Sequence, residues 1–214
     1  MNNQLFKTSQ IGNQIWMSEN LNLDCFQNGV LIQEAKSISE WQNATKEERP
    51  VWCYYNYNED YAEIFGRLYN GFAIRDIKGL APKGWHIPTK MEWYELIQYL
   101  GGNDYFACSS SMLRINIDEC KQKKIPIEWA GTNAFGFSAL PGSFSCNDGL
   151  FFDNGIAFTK DWKFELDTSF WSSFLTVGFG YSTSTSTPII NTSICGGSIC
   201  GNNSEGRYIR CIKD

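Results

Sequence analysis

Few residues of this 214-residue chain have types and spacings that could do chemistry. His86 is the only histidine. A general base must sit within reach of the group it deprotonates, and no serine or cysteine is paired with His86 by spacing. It reads as a packed or hydrogen-bonded residue beside Trp85. Glu47-Glu48, Glu59-Asp60 and Asp118-Glu119 are adjacent acidic pairs. Adjacent side chains do not face one site on a helix, whereas glycoside hydrolysis needs two carboxyls converging at about 5–10 Å. These pairs read as solvated surface.

The eight cysteines are Cys25, Cys53, Cys108, Cys120, Cys146, Cys195, Cys200 and Cys211. No two have the CxxC spacing of a zinc site, and one histidine cannot complete a Cys/His cluster. An even count suits disulfides in an oxidising compartment, and scattered thiols in a reducing one equally. Cys195 and Cys200 flank Gly196-Gly197 and are the one local disulfide candidate, since a short hairpin there could bring their Cβ atoms into reach. Asn147-Asp148-Gly149 and Asp153-Asn154-Gly155 carry the oxygen ligands calcium prefers. They are also ordinary turn sequences, and no metal or other cofactor is expected.

The elements that must position these residues are clearest at Gly84–Trp93. A short strand there runs into a helix with Thr89 as N-cap and Glu92 at the third position, a capping box. Trp93, Leu96, Ile97 and Leu100 follow at helical spacing, and Gly101-Gly102 stops the helix. Residues 4 to 18 read as a β-hairpin turning at Gly12-Asn13. Residues 37 to 48 read as a surface helix, with Ser37 and Glu40 as a second capping box and Pro50 as the stop. Residues 51 to 74 are expected to be strand and loop around the core. Residues 103 to 134 form a polar excursion with one short helical segment. From Phe135 onward, glycines punctuate short strands. Ser182–Pro188 is a low-complexity tract expected as a loop or edge, and Tyr208–Ile212 alternates like a closing strand.

Four blocks carry a resemblance: IGNQIWMSENLN from Ile11; WCYYN from Trp52 with FGRLYNGFAI from Phe65; GLAPKGWHIPTKMEWYELIQYLGG from Gly79; and FGFSALPGS from Phe135 with FWSS from Phe170 and YIRCIKD from Tyr208. In this order the chain resembles the Fibrobacter succinogenes major paralogous domain family over nearly its whole length. The resemblance implies an α+β, C-type-lectin-like fold, distantly similar to formylglycine-generating enzymes: a twisted, mainly antiparallel sheet with two flanking helices and long loops. It also implies an extracellular or cell-surface setting, although Met1–Lys7 shows no signal-peptide pattern. Cys53 and Cys211 match family positions, and Ala81 stands where some members carry a cysteine. Trp16, Trp52, Trp85, Trp93 and Trp171 fall in the scaffold motifs and are expected in the core. The Glu-Pro-Asn, Gln-Pro-Asp and Trp-Asn-Asp tripeptides of calcium-dependent sugar-binding C-type lectins do not occur here.

Composition narrows the partners. The net charge of −5 argues against a nucleic-acid backbone. The basic cluster Lys121, Lys123 and Lys124 reads as a solvated loop. No stretch approaches the ~20 apolar residues of a membrane span. With no repeat and no linker, residues 1–214 read as a single domain. Phe174, Phe179 and Tyr181 are interleaved with small polar residues and with Asn191, Asn202 and Asn203, a composition that suits adaptable binding loops. In C-type-lectin-like folds the matching region carries ligand contacts. The expectation is therefore a non-catalytic binding module presenting Phe174–Asn203 to a glycan or protein at a cell surface. A structural or accessory subunit of a surface or virion assembly is the alternative, and an oxidative or hydrolytic enzyme comes third.

Overall fold

The computed structural model describes residues 5–101, 112–141, 149–151, 166–171, 176–181, 188–189 and 203–214, and for residues 166–189 the backbone path of the three strands alone. In chain order the elements are β1 (Thr8–Ile11), β2 (Gln14–Met17), β3 (Gln33–Glu34), α1 (Ile38–Lys46), β4 (Val51–Cys53), α2 (Ala62–Phe65), β5 (Leu68–Asn70), α3 (Gly71–Arg75), β6 (Trp85–His86), α4 (Lys90–Tyr99), α5 (Ile117–Lys123), β7 (Leu166–Trp171), β8 (Thr176–Tyr181), β9 (Pro188–Ile189), β10 (Gly206–Arg207) and β11 (Ile212–Lys213). The architecture is mixed α+β.

Local chemistry explains the first elements. β1 and β2 form the expected hairpin, with Ile11 opposite Gln14. Gly12 has φ +58, and a Cβ there would meet the Tyr99 ring at 3.0 Å, so both conformation and space require glycine. Helix α4 starts as the spacing predicts: Thr89 Oγ1 accepts from the Glu92 amide, and the Glu92 carboxylate accepts from the Thr89 amide. It ends at Gly101, whose φ is +81. Helix α1 begins after Ser37, whose hydroxyl accepts from the Glu40 amide. The Glu40 carboxylate reaches the Lys36 amide, one residue beyond the expected box. The helix ends at Lys46, earlier than the sequence suggested, because Glu48 turns into the left-handed region ahead of Pro50.

Sheet organisation departs from the single sheet expected. One four-stranded sheet has the order β1-β2-β11-β6 and another the order β10-β5-β4-β3, with β3 parallel to β4. A third, antiparallel sheet has the order β7-β8-β9. Five helices are described: the two flanking helices expected, α5 as the short segment expected within 103–134, and α2 and α3, which are only four and five residues long. The expected closing strand at Tyr208–Ile212 is instead a crossing. The chain pairs with β5 at Gly206–Arg207 and with β2 and β6 at Ile212–Lys213. Between them, Tyr208, Ile209, Arg210 and Cys211 are all buried.

Alternation along the strands divides the interior in two. Trp16, Val51, Cys53, Leu68, Tyr208 and Ile212 face one apolar cluster, with α1, α4 and α5. Met17, Trp52, Tyr69, Ile209 and Cys211 face another, with Leu21, Phe26, Ile32 and Ala73. Successive strand residues point to opposite faces, so the two four-stranded sheets carry apolar packing on both sides. In the first cluster Trp16 and Trp93 have ring centroids 4.5 Å apart, with Phe137 edge-on to both. Of the five tryptophans expected inside, Trp16, Trp52 and Trp93 are buried. Trp85 is only half-buried, edge-on to Phe6, because its strand lies at the rim of the sheet. The Trp171 side chain lies outside the described residues.

Trp41 shows how the helical layer is fixed. It is fully buried on α1, and its indole donates to the Ser204 carbonyl at 2.9 Å. Replacing Trp41 by Ala is expected to cost about 3–5 kcal/mol, since it leaves a large cavity and an unpaired carbonyl. Urea unfolding followed by circular dichroism measures this, and a loss below about 1 kcal/mol would show that α1 is not anchored through Trp41.

Candidate functional site

The sequence placed its binding residues between Phe174 and Asn203, so the first question is how that stretch is rooted. The described residues on either side of it are Gly149–Phe151 and Asn203–Ser204. Tyr57 donates its hydroxyl to the Gly149 carbonyl at 2.6 Å, and Phe151 packs edge-on against Tyr55 and Tyr57. A Cβ on Gly149 would lie 3.3 Å from the Ile38 carbonyl at the start of α1. Gly71 donates its amide to the Asn203 carbonyl at 2.8 Å, and Arg75 donates to the Asn203 side-chain oxygen. Ser204 accepts from Trp41, also on α1. The two flanking segments thus meet α1 one helical turn apart.

Gly71 is itself required. A Cβ there would meet the Asn203 Cα at 2.6 Å, so the returning chain lies directly on α3. Asn203 is half-buried in this junction. Phe179 lies opposite Thr168, and Tyr181 opposite Leu166, in the β7–β8 ribbon. Being two residues apart, positions 179 and 181 belong to one face of β8. Phe174, Asn191 and Asn202 lie outside the described residues. So do Cys195, Cys200, Asp153–Gly155 and the first two residues of Asn147-Asp148-Gly149.

His86 is held between two carboxylates. Its Nε2 is 2.6 Å from Glu92 Oε1, and its Nδ1 is 2.8 Å from Asp214 Oδ1. A neutral imidazole has one N–H and could satisfy only one of them, so the geometry calls for the imidazolium. Burial lowers the His86 pKa, but the bonds from Asp214 and Glu92 outweigh it and raise the pKa above the usual 6.5. Burial likewise acts to raise the pKa of Glu92, and the Thr89 amide and hydroxyl together with His86 bring it below its usual 4.5. The histidine links the start of α4 to the end of the last strand, which the Asp214 amide also ties to the Gly84 carbonyl. This fits the packed role expected from sequence. The partner Asp214 was not foreseen, because it lies 128 residues away.

Of the four described cysteines, Cys53, Cys120 and Cys211 are buried. Cys53 and Cys211 are free and buried, on opposite faces of the sheets, so they cannot pair. Burial, with a smaller contribution from Glu34, holds the Cys53 pKa well above the usual range, and burial with Asp214 does the same for Cys211. Cys25 is free and half-buried, its pKa raised by burial and then by Asp24. Among the described residues no group of three histidine, cysteine or acidic side chains could hold a metal ion, and no helix is long and apolar enough to cross a membrane. Lys121 and Lys123 belong to α5 and Lys124 to its C-cap, so the basic cluster is a helix end and not a loop.

The described residues thus define a mixed α+β architecture whose strands separate two apolar clusters, with Gly149 and Ser204 held against one helix. The chain belongs to the Fibrobacter succinogenes major domain family, whose model matches residues 10–213. No curated protein and no solved structure matches it.

The clasp around His86 sets a pH window. The raised histidine pKa gives stability that is complete below 6.5 and fades as pH rises through the folded value. The lowered Glu92 pKa gives stability that is complete above 4.5 and fades as pH falls through its folded value. The melting-temperature gap between the native chain and His86→Gln should therefore be widest between 4.5 and 6.5 and shrink on the alkaline side. The imidazole side chain is 37% exposed, so screening holds the effect to about 0.5–1 kcal/mol. A gap independent of pH would remove the charge from this account. A second expectation concerns the thiols. Iodoacetamide followed by peptide mass mapping should modify Cys25 in the folded protein and spare Cys53 and Cys211 until denaturant is added.

Proposed function

We propose that this protein is a non-catalytic binding module of C-type-lectin-like type, which acts at a cell surface and offers residues 174–203 to a glycan or protein. The observation that carries this reading lies at the borders of the stretch: Gly149 before it and Ser204 after it both lie against the same helix, α1. Binding loops are typically variable segments positioned by a rigid scaffold, and here the described residues at both borders are hydrogen-bonded to the core. On this reading Phe174, Phe179 and Tyr181 supply aromatic contact area, and Asn191, Asn202 and Asn203 supply hydrogen bonds. The non-catalytic part of the proposal draws on His86, whose two ring nitrogens are already engaged by carboxylates. It draws also on the Cys53 and Cys211 thiols, which burial keeps protonated.

A glycan and surface-extract binding screen, run with calcium and with chelator, tests this. The comparison protein has residues 174–203 replaced by a Gly/Ser linker. The expected result is a hit that survives chelator and disappears in the still-folded variant. Capture of one fixed protein partner with no glycan hit would favour an assembly subunit. Retention of the hit in the variant would move the site off the excursion.

A further inference from the structure

A groove of about 720 Å³ lies between α2 and α5. Its size falls within the range of binding clefts. Its floor is the loop after β2, where Asn20 donates to the Phe65 carbonyl at 2.8 Å and accepts from Arg210 Nε at 2.8 Å. One wall is α2, offering Glu63. The other is α5, offering Gln122, Lys123 and Lys124. Beside the groove, and sharing Ile64, Phe65, Lys123 and Lys124 with it, is an apolar dimple of about 30 Å³ closed by Tyr61, Ile125, Pro126 and Pro141. That is space for roughly two waters, or for the end of a branched alkyl side chain.

The walls divide by charge. Lys121 pairs with Asp118 and Lys7 with Glu19, whereas the side chains of Glu63, Gln122, Lys123 and Lys124 make no hydrogen bond or ion pair among the described residues. The α5 wall is fixed in place. Asn116 and Glu119 form its capping box, Cys120 is buried beneath it, and Glu119 also accepts from Asn133 at 2.9 Å. Lys124 takes the left-handed C-cap conformation, with φ 57.

We propose that this groove binds an extended protein segment, with an apolar side chain in the dimple, an adjoining acidic side chain on Lys123 and Lys124, and a basic side chain on Glu63. A sugar ring would want an open aromatic face. Here Phe65 is 3% exposed, and the Tyr61 ring is already packed against Tyr55 and Phe65 at centroid distances of 5.1 and 6.0 Å. A peptide uses what the groove has: an amide for its main chain, opposed charges for its side chains and one apolar seat. The rim lysines also select against an apolar segment lacking acidic neighbours. The site uses none of residues 174–203, so it does not depend on the function proposed above.

The test is an amide nuclear magnetic resonance titration of the full chain with a short blocked peptide, in which a leucine is flanked by glutamates and followed by a lysine. A neutral oligosaccharide is titrated in parallel. Shifts are expected to concentrate at residues 18–22, 62–66 and 119–125. The Lys123→Glu, Lys124→Glu double variant should weaken binding about tenfold. Glu63→Lys should weaken this peptide and strengthen one whose lysine is replaced by glutamate. All three positions are solvent-facing enough for the variants to fold, which their spectra verify. The same shifts should persist in the 174–203 linker variant. No shift at millimolar peptide, shifts confined to other residues, indifference to charge reversal, or response to the oligosaccharide alone would each overturn the proposal.

Discussion

One guanidinium holds the parts of this domain in register. Arg210 is fully buried in the crossing between β10 and β11. It donates to the carbonyls of Met17, Phe137 and Ser138 and to the side-chain oxygen of Asn20. Its plane lies over the Phe137 ring at 4.7 Å. Burial pulls its pKa down to about 9, opposed by the charge of Glu19, and it stays protonated at neutral pH. Taking a charge out of water is costly, and only a full set of acceptors makes it tolerable. The hairpin, the loop after it and the 137–138 segment must therefore all be in place around this side chain. Lysine, with a single ammonium, could not reach the same four acceptors in one plane.

Given that knot, the two faces of the sheets acquire separate tasks. One face packs against α1, α4 and α5, and through Trp41 it holds Ser204 in place. The other is closed by loops, in which the Tyr69 hydroxyl accepts from the Leu23 amide and donates to the Leu23 carbonyl, both at 2.7 Å. Asn70 plays a similar part at the end of β5: it caps α3 through the Ala73 amide, accepts from Val51 and donates to Arg49. Side chains like these replace secondary structure where strands are only two or three residues long. They keep the backbone polar groups of the irregular segments satisfied.

What the sequence revealed was local. The hairpin, the Thr89–Glu92 capping box and a short helical segment somewhere within residues 103–134 depend on residues a few positions apart. The second α1 bond slipped by one residue because Lys36 and Ser37 offer neighbouring amides. The topology was hidden for a physical reason. Tyr208 to Ile212 alternates between two buried faces, so it looks like a strand while its hydrogen bonds pass from one sheet to the other. Asp214 was invisible as a partner of His86, since only the fold brings them together. The α2–α5 groove was also out of reach: one wall is a single helical turn, too short for a periodic signal, and the other had looked like a solvated loop.

The crossing has a consequence for how the chain folds. Residues 203–214 supply one strand to each four-stranded sheet, the arginine at the centre of the knot and the aspartate of the histidine clasp. Until this segment docks, β2 and β5 each lack a neighbour. An unpaired edge of this kind is a template for any other strand at hand. Docking of one short segment therefore closes two edges at once, and loosening it reopens both.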